Sequence, residues 1–357
     1  MSEKRPYNDY YHYLKSRFNA VTYKVSVDGR FTCPNIDGTV AEGGCTYCNN
    51  RSFVPKYLDR KNSIREQLEM GVESQRKRYG AERFLAYFQA YSNTYGEVER
   101  LEECYREALE HPDIDGLVLG TRADCLPEPV ITLLESLARD FYVAVEVGIE
   151  SVYDVTLKRI NRGHDFAAVK DALERLSGRG IHIGAHLIFG FPGETRNHWL
   201  DTARVISGLP VEYLKLHHLQ VIKGTVMARE YFDQPFRVFT FREWVELVCD
   251  FLELLRADIA IARMSGSAPP NMLIVPQWGR KKHPEVKKQV MDMLRQRGTR
   301  QGIRYSASPD AGSSSTGSPD TGSSNAGSSS TGSPDTGSSN AGSLSTRSSP
   351  VTSPKVT

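Results

Sequence analysis

Six times along this chain a short apolar run gives way to an amphipathic helical pattern, and a polar cluster follows each run. The runs lie at 23–27, 84–90, 116–119, 142–149, 181–189 and 213–219. Runs of this length, bounded by turn residues, read as buried strands. Between them apolar residues recur at helical spacing: Ile64, Leu68 and Val72; Leu101, Tyr105 and Ala108; Val130, Leu134 and Leu137; Val169, Leu173 and Leu176; Ala203 and Ile206; Val248, Phe251 and Leu255. Ser63 and Glu66 make a capping box, and Gly80 stops the helix they open. Residues 258–264 are a candidate seventh short strand. Such alternation predicts an α/β chain with a parallel sheet and helices outside it. A doubly wound open sheet and a barrel share the pattern. The polar clusters behind every strand favour a partial TIM-type (β/α)6 barrel, whose site lies at the C-terminal rim.

The cluster behind the first strand is T-C-P-N-I-D-G-T-V-A-E-G-G-C-T-Y-C-N at 32–49. It carries Cys33, Cys45 and Cys48, three of the chain's 6 cysteines. Three thiolates on one glycine-rich loop suit a metal centre better than a core. A closed zinc site takes four ligands, as does an ordinary iron–sulfur cubane. Three cysteines on a cubane leave one iron open to a substrate or cosubstrate. A zinc-binding interaction module is the alternative of a different class, and no fourth ligand lies near in sequence to support it. Cys104 and Cys249 fall on helical patterns and read as core. Cys125 follows the third strand, and packing is the favoured reading for it.

The chain has 357 residues, with 45 Lys plus Arg against 43 Asp plus Glu. That balance does not by itself demand a nucleic-acid partner. No run of about 18 apolar residues predicts a membrane span. The first residues lack an apolar signal region, so a cytoplasmic protein is expected. Cysteines in such a chain are expected as thiols or metal ligands rather than a disulfide framework. Residues 1–20 are rich in tyrosine (Tyr7, Tyr10, Tyr11, Tyr13) and read as an extension packed on the body rather than a base-stacking surface. Residues 21–270 are the expected barrel and 271–305 a C-terminal helical extension. In 306–357 the unit S-S-S-T-G-S-P-D-T-G-S-S-N-A-G occurs at 313–327 and again at 328–342. With almost nothing apolar to bury, this repeat tail reads as disordered.

Three cysteines after the first strand, the last two as C-x-aromatic-C, resemble the radical S-adenosylmethionine (SAM) superfamily. The common loop there is C-x3-C-x2-C, whereas eleven residues lie between Cys33 and Cys45 here. That spacing, with L-G-T-R-A-D-C-L-P, E-V-G-I-E-S, L-K-R-I-N-R-G-H and H-L-I-F-G-F-P-G-E in this order, resembles the YhcC-type branch, related to the catalytic subunit of Elongator. The resemblance covers about residues 7–300. It implies a radical SAM enzyme with a partial barrel and a [4Fe-4S] cluster on Cys33, Cys45 and Cys48. S-adenosyl-L-methionine would bind the open iron and be cleaved reductively, and hydrogen would be abstracted from a substrate. The implied SAM contacts are Tyr91, Ser92 and Asn93 after the second strand, Glu150 and Ser151 at the ribose, Arg162 at the carboxylate, His186, and His217 and Leu219 at the adenine. His217 and His218 alternate faces, so at most one points inward. The resemblance also implies a reducing partner such as flavodoxin or ferredoxin. Its leading substrate is the wobble uridine of tRNA, with a small molecule or protein as the alternative. No acetyltransferase domain is recognisable, so that activity is not implied. Basic clusters at Lys56/Arg60/Lys61/Arg65, Arg76-Lys77-Arg78 and Gly279-Arg280-Lys281-Lys282-His283 are candidate phosphate contacts, although most such runs are solvated helix faces.

Overall fold

A computed structural model describes residues 5–52, 62–279 and 281–306. The repeat tail beyond Ser306 lies outside the described residues, as do Lys56, Arg60, Lys61 and Arg280.

The described residues form a parallel seven-stranded sheet: β1 (Thr22–Val27), β2 (Arg83–Phe88), β3 (Ile114–Thr121), β4 (Tyr142–Glu150), β5 (His182–Phe189), β6 (Tyr213–His218) and, after a two-residue β7 (Val221–Ile222), β8 (Ala260–Arg263). The sheet order is β1-β2-β3-β4-β5-β6-β8, so each strand lies beside the next and the curved sheet is a half-barrel. The predicted short seventh strand is therefore present, paired to β6 at Tyr213, Leu214 and Lys215. A strand β9 (Leu273–Val275) pairs antiparallel with β7, outside the main sheet and without a periodic signal in the sequence.

Helices α2 (Ile64–Tyr79), α3 (Val98–Leu109), α4 (Glu128–Leu137), α5 (Asp154–Arg159), α6 (Phe166–Leu176) and α7 (Arg196–Ser207) connect the first six strands. α8 (Val226–Asp233) and α9 (Phe241–Leu254) precede β8, and α10 (His283–Gln296) packs on α9. The first connecting helix starts and stops where its residues say it should. Ser63 and Glu66 cap α2 reciprocally, and Gly80 closes it in the left-handed region.

Strand alternation sorts the side chains into two sets. Val143, Val145, Val147 and Ile149 of β4, and Ile183, Ala185 and Leu187 of β5, join the helices in the main core. Cys104 and Cys249 are buried in that core as well. On the concave side, a helix α1 (Tyr10–Phe18) brings Tyr10 and Leu14 against Leu85, Tyr87, Val118, Ala144, Tyr213 and Ala260. Of the N-terminal tyrosines, Tyr7 and Tyr10 are buried and Tyr13 packs against Tyr213, whereas Tyr11 is exposed. Just before α1, Ile261 donates its backbone N–H to Asn8, so the chain runs along the free edge of β8. Above this apolar plug the concave face turns polar, and a cavity opens toward the C-terminal ends of the strands.

Candidate functional site

The cysteine loop leaves β1 and crosses the mouth of the half-barrel. Its position is fixed by backbone hydrogen bonds at several points. Ser92 donates its N–H to Thr32, Thr46 donates to Ile160, and Met227 donates to Thr46. Asn35 reaches across from the loop, its amide donating to the carbonyls of Asn161 and Arg162. Asn161 in turn donates to Glu42 and Gly44. The next residue but one explains the glycine in N-R-G. Gly163 has φ +79°, and a Cβ there would stand 2.6 Å from the Asn35 amide oxygen. Tyr47, between the last two cysteines, packs its ring on Phe191.

Cys33, Cys45 and Cys48 are free thiols that line one cavity. Burial pushes the Cys48 thiol up, and the neighbouring Cys45, Cys33 and Glu150 add to it. Cys45 receives three donors: the Asn35 amide at 3.5 Å and the guanidiniums of Arg162 at 3.7 Å and Arg122 at 3.9 Å. Three cysteine sulfurs on one loop, with guanidiniums behind them and a cavity in front, fit a three-cysteine [4Fe-4S] cluster. Among the described residues no three His, Cys, Asp or Glu converge to hold a single metal ion.

Arg162 follows α5, with its side chain in the cavity wall. It donates to the Gly148 carbonyl at 2.6 Å and stands 3.9 Å from the Glu150 carboxylate. Its Nε is buried without a partner, as is the Ser92 hydroxyl. Orphaned polar atoms in a cavity wall fit a polar ligand. Two further site positions are held in the left-handed region although they are not glycine: Tyr91 at φ 68° and Glu150 at φ 64°. Glu150 sits at a break in the β4–β5 register, between Gly148 and Glu150. Strain of this kind at strand ends is common where a side chain is re-aimed at a ligand.

The cavity encloses about 920 Å³. Of the residues named from sequence, Tyr91, Ser92, Glu150, Arg162, His186, His217 and Leu219 line it with the three cysteines. Asn93 and Ser151 do not. The Asn93 amide donates to the carbonyls of Phe88 and Gly120, tying β2 to β3. The Ser151 hydroxyl donates to Glu194 at 2.6 Å. Cys125 is buried beside Asp124 and is not itself a lining residue. His217 points inward and stacks on His186, whereas His218 stacks on Trp278 at 3.9 Å.

Sequence reasoning missed two groups. Arg122, in L-G-T-R-A-D-C, pairs with Asp124 through two hydrogen bonds of 2.8 and 2.7 Å and donates to the Arg162 carbonyl at 2.6 Å. It therefore holds the loop, the arginine of N-R-G-H and Cys45 in one frame. The second group lies deeper, on the strands. Glu146 of β4 is fully buried and accepts from Lys24 of β1 and Lys215 of β6, each at 2.5 Å, and from His186 at 3.0 Å. Burial alone would push this carboxyl up, but Lys215, Lys24 and His186 hold it well below the usual range. The available signal was a lone charge inside each of three apolar strands.

The residues match two family models, the radical SAM superfamily at 38–206 and the radical SAM C-terminal domain at 211–295. The uncharacterized protein YtqA of Bacillus subtilis is 35% identical over 84% of this chain and 93% of its own length. Protein YhcC of Escherichia coli is 35% identical over 74% of this chain and 85% of its own. A tRNA uridine(34) acetyltransferase of Methanocaldococcus infernus is 24% identical over 50% of this chain and 34% of its own. Among solved structures, Methanocaldococcus infernus Elp3 superposes with a TM-score of 0.59 at 18% identity. The match covers 78% of this chain and 64% of that one, a likeness of fold.

Proposed function

This chain belongs to the radical SAM superfamily, in the branch of YhcC and YtqA, and works with a [4Fe-4S] cluster and SAM; we propose that Cys33, Cys45 and Cys48 hold the cluster and that the cavity beneath them is the reaction chamber. When bound, the cluster supplies the electron that splits a carbon–sulfur bond of SAM and so provides a radical able to abstract hydrogen. Everything else falls to the chain's own residues. Arg162, with donors free and Glu150 beside it, orients a ligand carboxylate at the mouth. Glu150 accepts from hydroxyl groups elsewhere on that ligand, and the Ser92 hydroxyl is a further polar partner. Tyr91 and Leu219 wall the cavity, and the plug under α1 shuts its far end from water. Ser151 and Asn93 act from behind, the first through Glu194 and the second by joining β2 to β3.

For the substrate, the reading is the wobble uridine of tRNA. The observation behind it is the partial likeness to a tRNA uridine(34) acetyltransferase, which spans half of this chain. The basic clusters lend it little weight. Arg76, Lys77 and Arg78 occupy the last turn of α2, at the end of the sheet opposite the mouth, and Arg76 and Lys77 are paired with Asp113 and Glu73. Lys281 and Lys282 lie just before α10 and are exposed. A flavodoxin or ferredoxin is the expected class of reductant.

The test is mass spectrometry of tRNA nucleosides from a deletion strain grown without oxygen. The expected result is loss of one modified uridine, restored by the wild-type gene and not by Cys45→Ala. An unchanged nucleoside profile would redirect the search to small molecules and proteins.

A further inference from the structure

Below the mouth, the concave face carries more positive than negative charge. Lys24, Lys215 and Arg263 reach inward from β1, β6 and the end of β8, and among the described residues Glu146 is the carboxylate that pairs with the two lysines. Glu146 is already engaged by both lysines and by His186. Arg263 adds a third cation. Among the described residues it forms no ion pair, and its hydrogen bond to the Ser267 hydroxyl is a long one of 3.4 Å. At the mouth the other arginines have acidic neighbours, Arg122 with Asp124 and Arg162 with Glu150.

His217 lies in the same wall, next to His186. Its Nε2 is buried and has no hydrogen-bond partner. Burial, reinforced by Arg263, holds His217 well below its ordinary value. Lys215 is brought down to about 7 by burial, with Lys24 and Arg263 adding to the effect against the pull of Glu146. Three cations share one carboxylate in this wall, and two of them are largely buried, so the excess positive charge is costly to keep. A bound anion relieves that cost and raises the proton affinity of Lys215 and His217. The flat fork of Arg263 suits two oxygens of one acid group.

We infer that the inner cavity binds an oxyanion of the substrate, a carboxylate or a phosphate, between Arg263, Lys215 and His217, which gives His217 to the substrate rather than to the adenine of SAM. This rests on reading the cavity as the reaction chamber, and it holds whether the rest of the substrate is a nucleotide or a small acid. It gives the chamber a polarity, with SAM at the cysteine mouth and the acid group on the strand floor. The substrate carbon to be attacked then lies between them.

The experiment uses the reconstituted, SAM-loaded, unreduced protein and two probes, inorganic phosphate read by ³¹P line broadening and ¹³C-acetate read by ¹³C line broadening, with uridine as the neutral control. Wild type should bind at least one oxyanion. Arg263→Gln should weaken that binding by about 30-fold or more, and Arg263→Lys by less. Lys215→Met should weaken it by about 10-fold, by loss of one charged donor. Phosphate alone would identify a phosphate ester as the source and acetate alone a carboxylic acid, and either supports the site. No broadening of either probe, or equal broadening in wild type and Arg263→Gln, overturns it. Calorimetry of SAM binding separates this inference from the one it rests on. Arg263→Gln should keep wild-type affinity for SAM, and a parallel loss of SAM and oxyanion would assign Arg263 to the SAM pocket and overturn the oxyanion site. Failure of wild type to bind SAM would instead overturn the reading of the chamber.

Discussion

Arg162 turns its guanidinium to 3.9 Å from the carboxylate of Glu150, and both side chains are largely buried at the mouth of the half-barrel. The two residues come from different elements. Glu150 ends β4 on a left-handed backbone, and Arg162 follows α5. The carbonyl of Gly148, two residues before Glu150, takes one guanidinium hydrogen bond, and the sulfur of Cys45 takes another. One arginine therefore touches the cysteine loop, the strand end and the cavity at once.

Arg162→Ala should weaken SAM binding. Removing one member of a buried charge pair costs about 2–5 kcal/mol, or roughly 30-fold and more in affinity. Iron and sulfide should stay near wild type, because the three thiolates remain. Arg159→Ala is the control, since Arg159 is exposed on α5. Calorimetric titration of SAM into the unreduced protein reads both variants. Equal affinity for wild type and Arg162→Ala would remove this arginine from the pocket.

The cysteines make a separate prediction. Cys33→Ala, Cys45→Ala and Cys48→Ala should each lose the absorption of the reconstituted cluster, which for cysteine-bound iron–sulfur centres lies near about 400 nm. Cys104→Ala and Cys249→Ala should keep it, because both thiols are buried in the helix-facing core. Full iron and sulfide content in Cys45→Ala would show that the ligands lie elsewhere.

What the sequence made legible was local. Strand–helix alternation, the Ser63–Glu66 capping box and the stop at Gly80 each depend on residues a few positions apart, and each appears in the structure. The inward turn of His217 and the outward turn of His218 follow from the period of a strand. The cysteine loop was legible for the same reason. The Lys24–Glu146–Lys215 network was not, because its members sit on three strands far apart in the chain and meet only when the sheet curves. Asn93 illustrates another limit. A polar residue behind a strand reads as a ligand contact, yet its amide is used by two backbone carbonyls. β7 and β9 are too short for any periodicity to mark them.

His218 gives the chain a predictable weakness to acid. Its ring is 3% exposed, stacked on Trp278 at 3.9 Å and set against Trp244 at 5.5 Å, and its Nδ1 has no partner. Burial brings it down from 6.5 to about 3. The unfolded chain therefore binds a proton that the folded chain refuses as pH falls below about 6.5. Stability from this residue is fully present above that pH and declines as pH drops toward about 3. By pH 4 the loss is roughly 3 kcal/mol. Burial lowers His283 to about 4 in the same direction, so wild type alone cannot isolate the effect. His218→Phe can, because it keeps an aromatic ring on Trp278 and cannot titrate. Urea unfolding of both proteins at pH 7 and pH 4 should show wild type losing about 3 kcal/mol relative to the variant. A difference that does not change with pH would mean that the imidazole reaches water or a proton acceptor in the folded protein.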